Sequence, residues 1–99
     1  METKQTFAEL IKGEKPVLVD FFATWCGPCK AQAPILDNFK RTIGDRATII
    51  KIDIDKNQKA AQVYRVQSVP TLMVFRKGQI VWRKSGVATE PELRDAISR

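Results

Sequence analysis

The chain of 99 residues has no histidine and only two cysteines. A closed zinc site needs four ligands, so a metal centre would have to be shared between chains. Both cysteines fall in one C-x-x-C, Cys26 and Cys29, leaving none for a separate structural bridge. That usage is the one expected of a cytoplasmic protein. No apolar run approaches the roughly 18 residues of a membrane span. The opening residues, Met1 to Thr6, carry no apolar segment, so no secretory signal is expected. Repeats, linkers and low-complexity tracts are also missing, which leaves one domain over residues 1–99 as the expectation.

What is present is a globular composition, 43% apolar, with a formal charge of +6. Residues 1–50 hold seven basic and six acidic side chains; residues 51–99 hold ten and five. Arg76, Lys77, Arg83 and Lys84 cluster in one short segment. A solvated basic face explains them, and such a face could steer acidic protein partners. No basic tail or aromatic-rich module accompanies them, so neither nucleic acid nor membrane is an expected partner.

The stretch from Pro16 to Lys30, PVLVDFFATWCGPCK, organises the rest. Val17 to Phe22 is apolar, β-branched and aromatic, the pattern of a strand buried on both faces. The run breaks at Ala23-Thr24 and presents the C-x-x-C before a helical pattern. Pro28 suits a first helical turn, where its missing N–H leaves no bond unmade. Cysteines three apart there have Cβ atoms about 5–6 Å apart, close to disulfide distance. Free N–H groups and the dipole at a helix start favour a thiolate. A three-residue loop is a weak structural staple, because closing it removes little chain entropy. Thiol–disulfide exchange is the better use of this arrangement. If exchange is the function, Cys26, nearer the helix end and expected to be more exposed, attacks; Cys29, a turn deeper, resolves.

Elsewhere the patterns alternate. Thr6 and Glu9 have capping-box spacing, opening a short helix with Phe7, Leu10 and Ile11 inward and Gly13 as its stop. The helix after the motif is expected from Cys26 to Ile43, kinked at Pro34 and ended by Gly44. Residues 47–54 form a strand with Ile50, Ile52 and Ile54 on one face. Asn57 is a candidate cap for a short helix containing Ala60, Ala61 and Val63. Thr71–Phe75 and Ile80–Trp82 form a hairpin across Lys77-Gly78. Thr89 and Glu92 form a second capping box, with Leu93, Ala96 and Ile97 inward. The order predicts an α/β fold with parallel pairing first, then an antiparallel hairpin, and helices on both faces.

Asp20 is the exception inside the first strand. Alternation puts it on the face of Leu18 and Phe22. A strand-end Asp is often simply solvated, but here burial would raise its pKa toward that of a general acid or base.

The string Trp25-Cys26-Gly27-Pro28-Cys29-Lys30, preceded by Val19 to Ala23, resembles the active site of the thioredoxin family. The resemblance continues through Ala33-Pro34-Ile35-Leu36, Lys51 to Asp55, Val69-Pro70-Thr71-Leu72 and Lys77-Gly78 to Gly86, all in one register. It implies the thioredoxin fold, a central mixed sheet of four to five strands flanked by helices. Thioredoxins usually begin with a strand; only six residues, five of them polar, precede Phe7, so that strand should be short or absent.

The resemblance also implies a protein-disulfide reductase. Its electrons would come from NADPH through a flavoprotein thioredoxin reductase, with no cofactor bound to the chain. Partners would be that reductase and disulfide-containing client proteins, met by a monomer. Cys26 and Cys29 match the family's attacking and resolving cysteines. Asp20 matches the carboxylate beneath the second cysteine, and Lys51 its charged neighbour. Val69-Pro70 matches the cis-proline segment that faces the dithiol and pairs with substrate backbone. Gly86 matches a glycine lining the substrate groove. Trp25, with Gly27 and Pro28, would shield the motif and meet substrate. Asp55 is a candidate partner for the Trp25 N–H, and a core role for Trp25 is equally open. Phe22 stands where many members carry Trp. Gly27-Pro28 brings no charge to the dithiol, so a reducing potential near −270 mV is expected. A dedicated or envelope oxidoreductase, or a binding module whose dithiol is incidental, are the other readings.

Overall fold

The computed structural model describes residues 6–99. Four helices and four strands alternate along them: α1 (Phe7–Ile11), β1 (Val17–Phe22), α2 (Gly27–Ile43), β2 (Thr48–Asp53), α3 (Gln58–Val63), β3 (Thr71–Arg76), β4 (Gln79–Ser85) and α4 (Glu90–Ile97). The sheet order is β2-β1-β3-β4. β1 runs parallel to β2 and antiparallel to β3, and β3 runs antiparallel to β4. This is the mixed, helix-flanked sheet expected. The expectation of a vestigial leading strand falls on residues 1–5, outside the described residues. No described helix is long and apolar enough to cross a membrane.

β1 is central because its sequence leaves it no polar face except at Asp20. Leu18 points into a core layer with Leu36, Phe39 and Ile43 of α2 and Leu93, Ala96 and Ile97 of α4. Val17, Val19 and Phe21 point the other way, against Ile11, Ile52, Met73 and Phe75. On that second face the Tyr64 ring meets Phe7 and Phe75 edge-on, with centroids 5.8 and 5.3 Å away. A strand apolar on both sides needs cover on both, and two helix layers supply it.

The helix ends follow their local chemistry. Both capping boxes form, Thr6 with Glu9 and Thr89 with Glu92. α2 runs through Pro34 and stops at Gly44, whose φ of 58° is the left-handed conformation glycine tolerates. Gly13 has no such role: α1 is capped at Lys12, one residue earlier, in ordinary right-handed geometry. Asn57 occupies the α3 cap position, but its side chain turns back to donate to the Asp53 carbonyl at 3.0 Å and caps nothing. The hairpin loop is Lys77-Gly78, with φ of 54° and 80°, the positive pair that matches strand twist. Its two N–H groups donate to the Gly13 and Ile11 carbonyls at 2.9 and 2.7 Å, which ties the hairpin tip to the end of α1.

The basic segment is not the loose solvated face its composition suggests. Arg76 donates to the Ile97 carbonyl at 2.9 Å, Arg83 to the Tyr64 and Arg65 carbonyls, and Lys84 pairs with Glu92 at 2.6 Å. Three of its four cations bind other elements of the fold.

Gln32 had no signal in the sequence, yet it is fully buried in α2. Its amide donates to the Ala88 carbonyl at 3.1 Å and accepts from the Ala88 N–H at 2.7 Å. The side chain therefore serves both backbone groups of the residue that leads into α4. Gln32→Ala would strand a buried donor and acceptor, at a cost of about 3 kcal/mol in urea unfolding. A loss below about 1 kcal/mol would show that the pair is dispensable.

Candidate active site

The turn that ends β1 closes when the Cys26 N–H donates to the Ala23 carbonyl at 3.2 Å. Cys26 is then the N-cap of α2, in extended geometry, and its sulfur accepts the Cys29 N–H at 3.2 Å. Gly27 and Pro28 fill the first helical positions. Cys26 and Cys29 are joined as a disulfide, with Cα atoms 5.3 Å apart. The spacing read from the sequence is thus a bonded pair at a helix start, where a displaced Cys26 thiolate would keep a hydrogen-bond donor and the positive dipole end.

Exposure does not separate the two cysteines as expected. Cys26 is 4% exposed and Cys29 7%, because Ala23, Phe22, Ile54 and Val69 pack around the pair. What distinguishes them is their surroundings. The Cys26 sulfur lies 3.5 Å from the Val69 carbonyl oxygen, and the Val69-Pro70 peptide is cis. Pro70 in turn accepts the Gly86 N–H at 2.8 Å. A Cβ built on Gly27 or on Gly86 would meet nothing within 4 Å, so the surface over both is open. Trp25 stands beside it, 67% exposed, with its indole N–H on Asp55 at 2.8 Å. Trp25 is therefore a surface ring, not a core one, held by its bond to Asp55.

Cys29 faces the other way. It lines a cavity of about 270 Å³ whose wall includes Asp20, Phe22, Ala23 and Lys51. Asp20 is 2% exposed, and its Oδ1 has no hydrogen-bond partner. Burial pushes the carboxyl up from 3.8 to about 6, with the charge of Lys51 pulling against it. The two residues are register partners on β1 and β2. So the structure brings Cys29, Asp20 and Lys51 together on one side of the dithiol, and Cys26, Trp25, Val69, Pro70 and Gly86 on the other.

Thr24, Lys30 and Ala33 also line the cavity and were not singled out in the sequence. Thr24 and Lys30 flank the motif, and Ala33 follows Cys29 by one helical turn, the only hint available. In the sequence Thr71 is marked only as the start of a strand and part of the Val69–Leu72 string; its hydroxyl donates to the Ser68 carbonyl at 2.7 Å and fixes the start of β3. Among the described residues no cluster of three or more His, Cys, Asp or Glu could hold a metal ion.

Known proteins with these features are close at hand. The family model described as thioredoxin matches residues 1–99. Thioredoxin of Bacillus subtilis is 42% identical over 98 residues, 98% of this chain and 92% of its own. A bifunctional thioredoxin reductase/thioredoxin of Mycobacterium leprae is 41% identical over 92% of this chain, which spans 21% of that longer protein. The solved thioredoxin of Malassezia sympodialis superposes with a TM-score of 0.84 at 34% identity, covering 93% of this chain and 82% of that one. By the whole-length match and the bonded cysteine pair, this chain belongs to the thioredoxin family of thiol–disulfide oxidoreductases.

Proposed function

We propose that the chain is a reductant of protein disulfides, a monomeric cytoplasmic domain recharged by a flavoprotein thioredoxin reductase that draws on NADPH. The observation that carries the division of roles between the cysteines is the asymmetry around the dithiol; the reducing direction is supported by the uncharged Gly27-Pro28 between them. The Cys26 thiolate attacks one sulfur of a client disulfide; the S–S bond breaks and one client thiolate leaves. The client is now held to Cys26 by a mixed disulfide. Asp20 takes the Cys29 proton, and the Cys29 thiolate attacks the Cys26 sulfur. The second client sulfur departs with the bond's electrons, and the Cys26–Cys29 disulfide remains. Two electrons have passed to the client, and the reductase returns two. The fusion of reductase to thioredoxin in the Mycobacterium leprae relative supports that pairing.

In this mechanism Trp25, Gly27, Pro28 and Gly86 form the client's bed, and the Val69 backbone pairs with its extended chain. Pro70 holds that backbone beside the sulfur. Lys51 tunes the Asp20 carboxylate.

Two experiments test the division of labour. Cys29→Ser leaves attack intact and removes resolution, so a client mixed disulfide should accumulate in acid-quenched samples seen by mass spectrometry. Cys26→Ser should form none. Comparable trapping by both variants would overturn the assignment of the attacking cysteine.

Asp20→Asn should move stability and activity in opposite directions. The folded pKa lies above the unfolded one, so ionisation favours the unfolded state as pH climbs from about 4 through about 6. The rise to about 6 corresponds to about 3 kcal/mol. The variant should therefore gain up to that amount above about pH 7, and almost nothing below about pH 4. Resolution of the mixed disulfide should slow by about a hundredfold, with attack by Cys26 little changed. A variant no more stable at neutral pH, with wild-type resolution, would make Asp20 a structural residue.

A further inference from the structure

α3 ends in a turn that its own sequence does not favour. The Val66 N–H donates to the Ala61 carbonyl at 2.8 Å and the Arg65 N–H to the Gln62 carbonyl at 3.1 Å, a Schellman turn. The left-handed position of such a turn is usually glycine; here it is Arg65, with φ of 54°. The support comes from β4. Arg83, opposite Met73 in the sheet, sends Nη1 to the Tyr64 carbonyl at 2.6 Å and Nη2 to the Arg65 carbonyl at 2.7 Å. A rigid guanidinium fork on two successive carbonyls fixes both peptide planes and places positive charge at a helix C-terminus.

The direction in which the chain leaves this turn matters to the dithiol. Four residues beyond Arg65 is Val69, whose carbonyl lies 3.5 Å from the Cys26 sulfur. The far end of the segment is pinned separately, by Thr71 on Ser68 and by Gly86 on Pro70. Gln67 and Ser68 are exposed between the two anchors, so the near anchor falls to the Schellman turn and to Val66, which packs against the core beside it. We propose that Arg83 is a positioning residue for client recognition: by clamping the Tyr64–Arg65 turn it sets where the Val69 backbone meets an incoming peptide. The proposal rests on the reading of Val69 as a docking strand. Arg83 touches neither sulfur, so the exchange chemistry itself should not depend on it.

The test compares a disulfide-bonded peptide with hydroxyethyl disulfide, which is small, neutral and has no backbone to pair. Arg83→Ala should raise KM for the peptide about fivefold and leave kcat and the hydroxyethyl disulfide rate within about twofold. Arg83→Lys keeps the charge without the fork and should show most of the same rise. Arg65→Gly in the Arg83→Ala background should restore KM, because glycine takes the left-handed position unaided. Equal losses on both substrates would make Arg83 a general stability residue and overturn the proposal. Wild-type KM in Arg83→Lys would mean charge steering and overturn it too. Amide exchange in the peptide mixed disulfide of Cys29→Ser distinguishes the premise. An unprotected Val69 N–H there would bring down the docking reading, and this proposal with it. A protected one, with unchanged KM in Arg83→Ala, would bring down the clamp alone.

Discussion

The Cys29 N–H pointing at the Cys26 sulfur is the contact on which the site depends. A helix start has free N–H groups that must find acceptors, usually the oxygen of Ser, Thr, Asp or Asn. Here a sulfur takes that place, so the group that caps α2 is also the group that reacts. Its geometry is inherited from the strand before it: β1 is buried on both faces, and the Ala23 carbonyl closes the turn onto Cys26. Burial of Val17 to Phe21 in the middle of a sheet therefore fixes the position of one sulfur.

From that point the molecule is asymmetric. One side of the disulfide is an open surface bounded by Trp25, the cis Val69-Pro70 peptide and Gly86. The other is a partly open cavity walled by Asp20, whose carboxyl has an orphaned oxygen. An unpaired buried Asp lowers stability at neutral pH, and a fold of this size has little stability to give up. On the proposed mechanism, its place beside Cys29 is where a proton has to be moved.

Much of this was legible in the sequence because it is local. The apolar run Val17–Phe22, the C-x-x-C at a helix start, both capping boxes and the Lys77-Gly78 loop each carry their signal within a few residues. What was hidden depends on partners far along the chain. Gln32 and Ala88 are 56 positions apart, and Arg83 reaches carbonyls 18 and 19 positions away. A glutamine inside a helix and an arginine on an edge strand look like solvated residues until the fold supplies their acceptors. The exposure of Trp25 was undetermined for the same reason, since it hangs on Asp55, 30 residues on. Cys26 was misjudged as the more exposed cysteine because position in a helix says nothing of the loops that fold over it. Here Val69, distant in sequence, packs beside it.

The account rests on a dithiol whose thiolate is favoured by a helix start alone, with no charged residue between the cysteines. Equilibration of the protein with glutathione buffers, read by mass or by fluorescence, gives its reduction potential directly. A value near −270 mV is predicted, as for a reductant of other proteins. A value near −120 mV would mean that the reduced form is stabilised far more strongly, and would contradict the account.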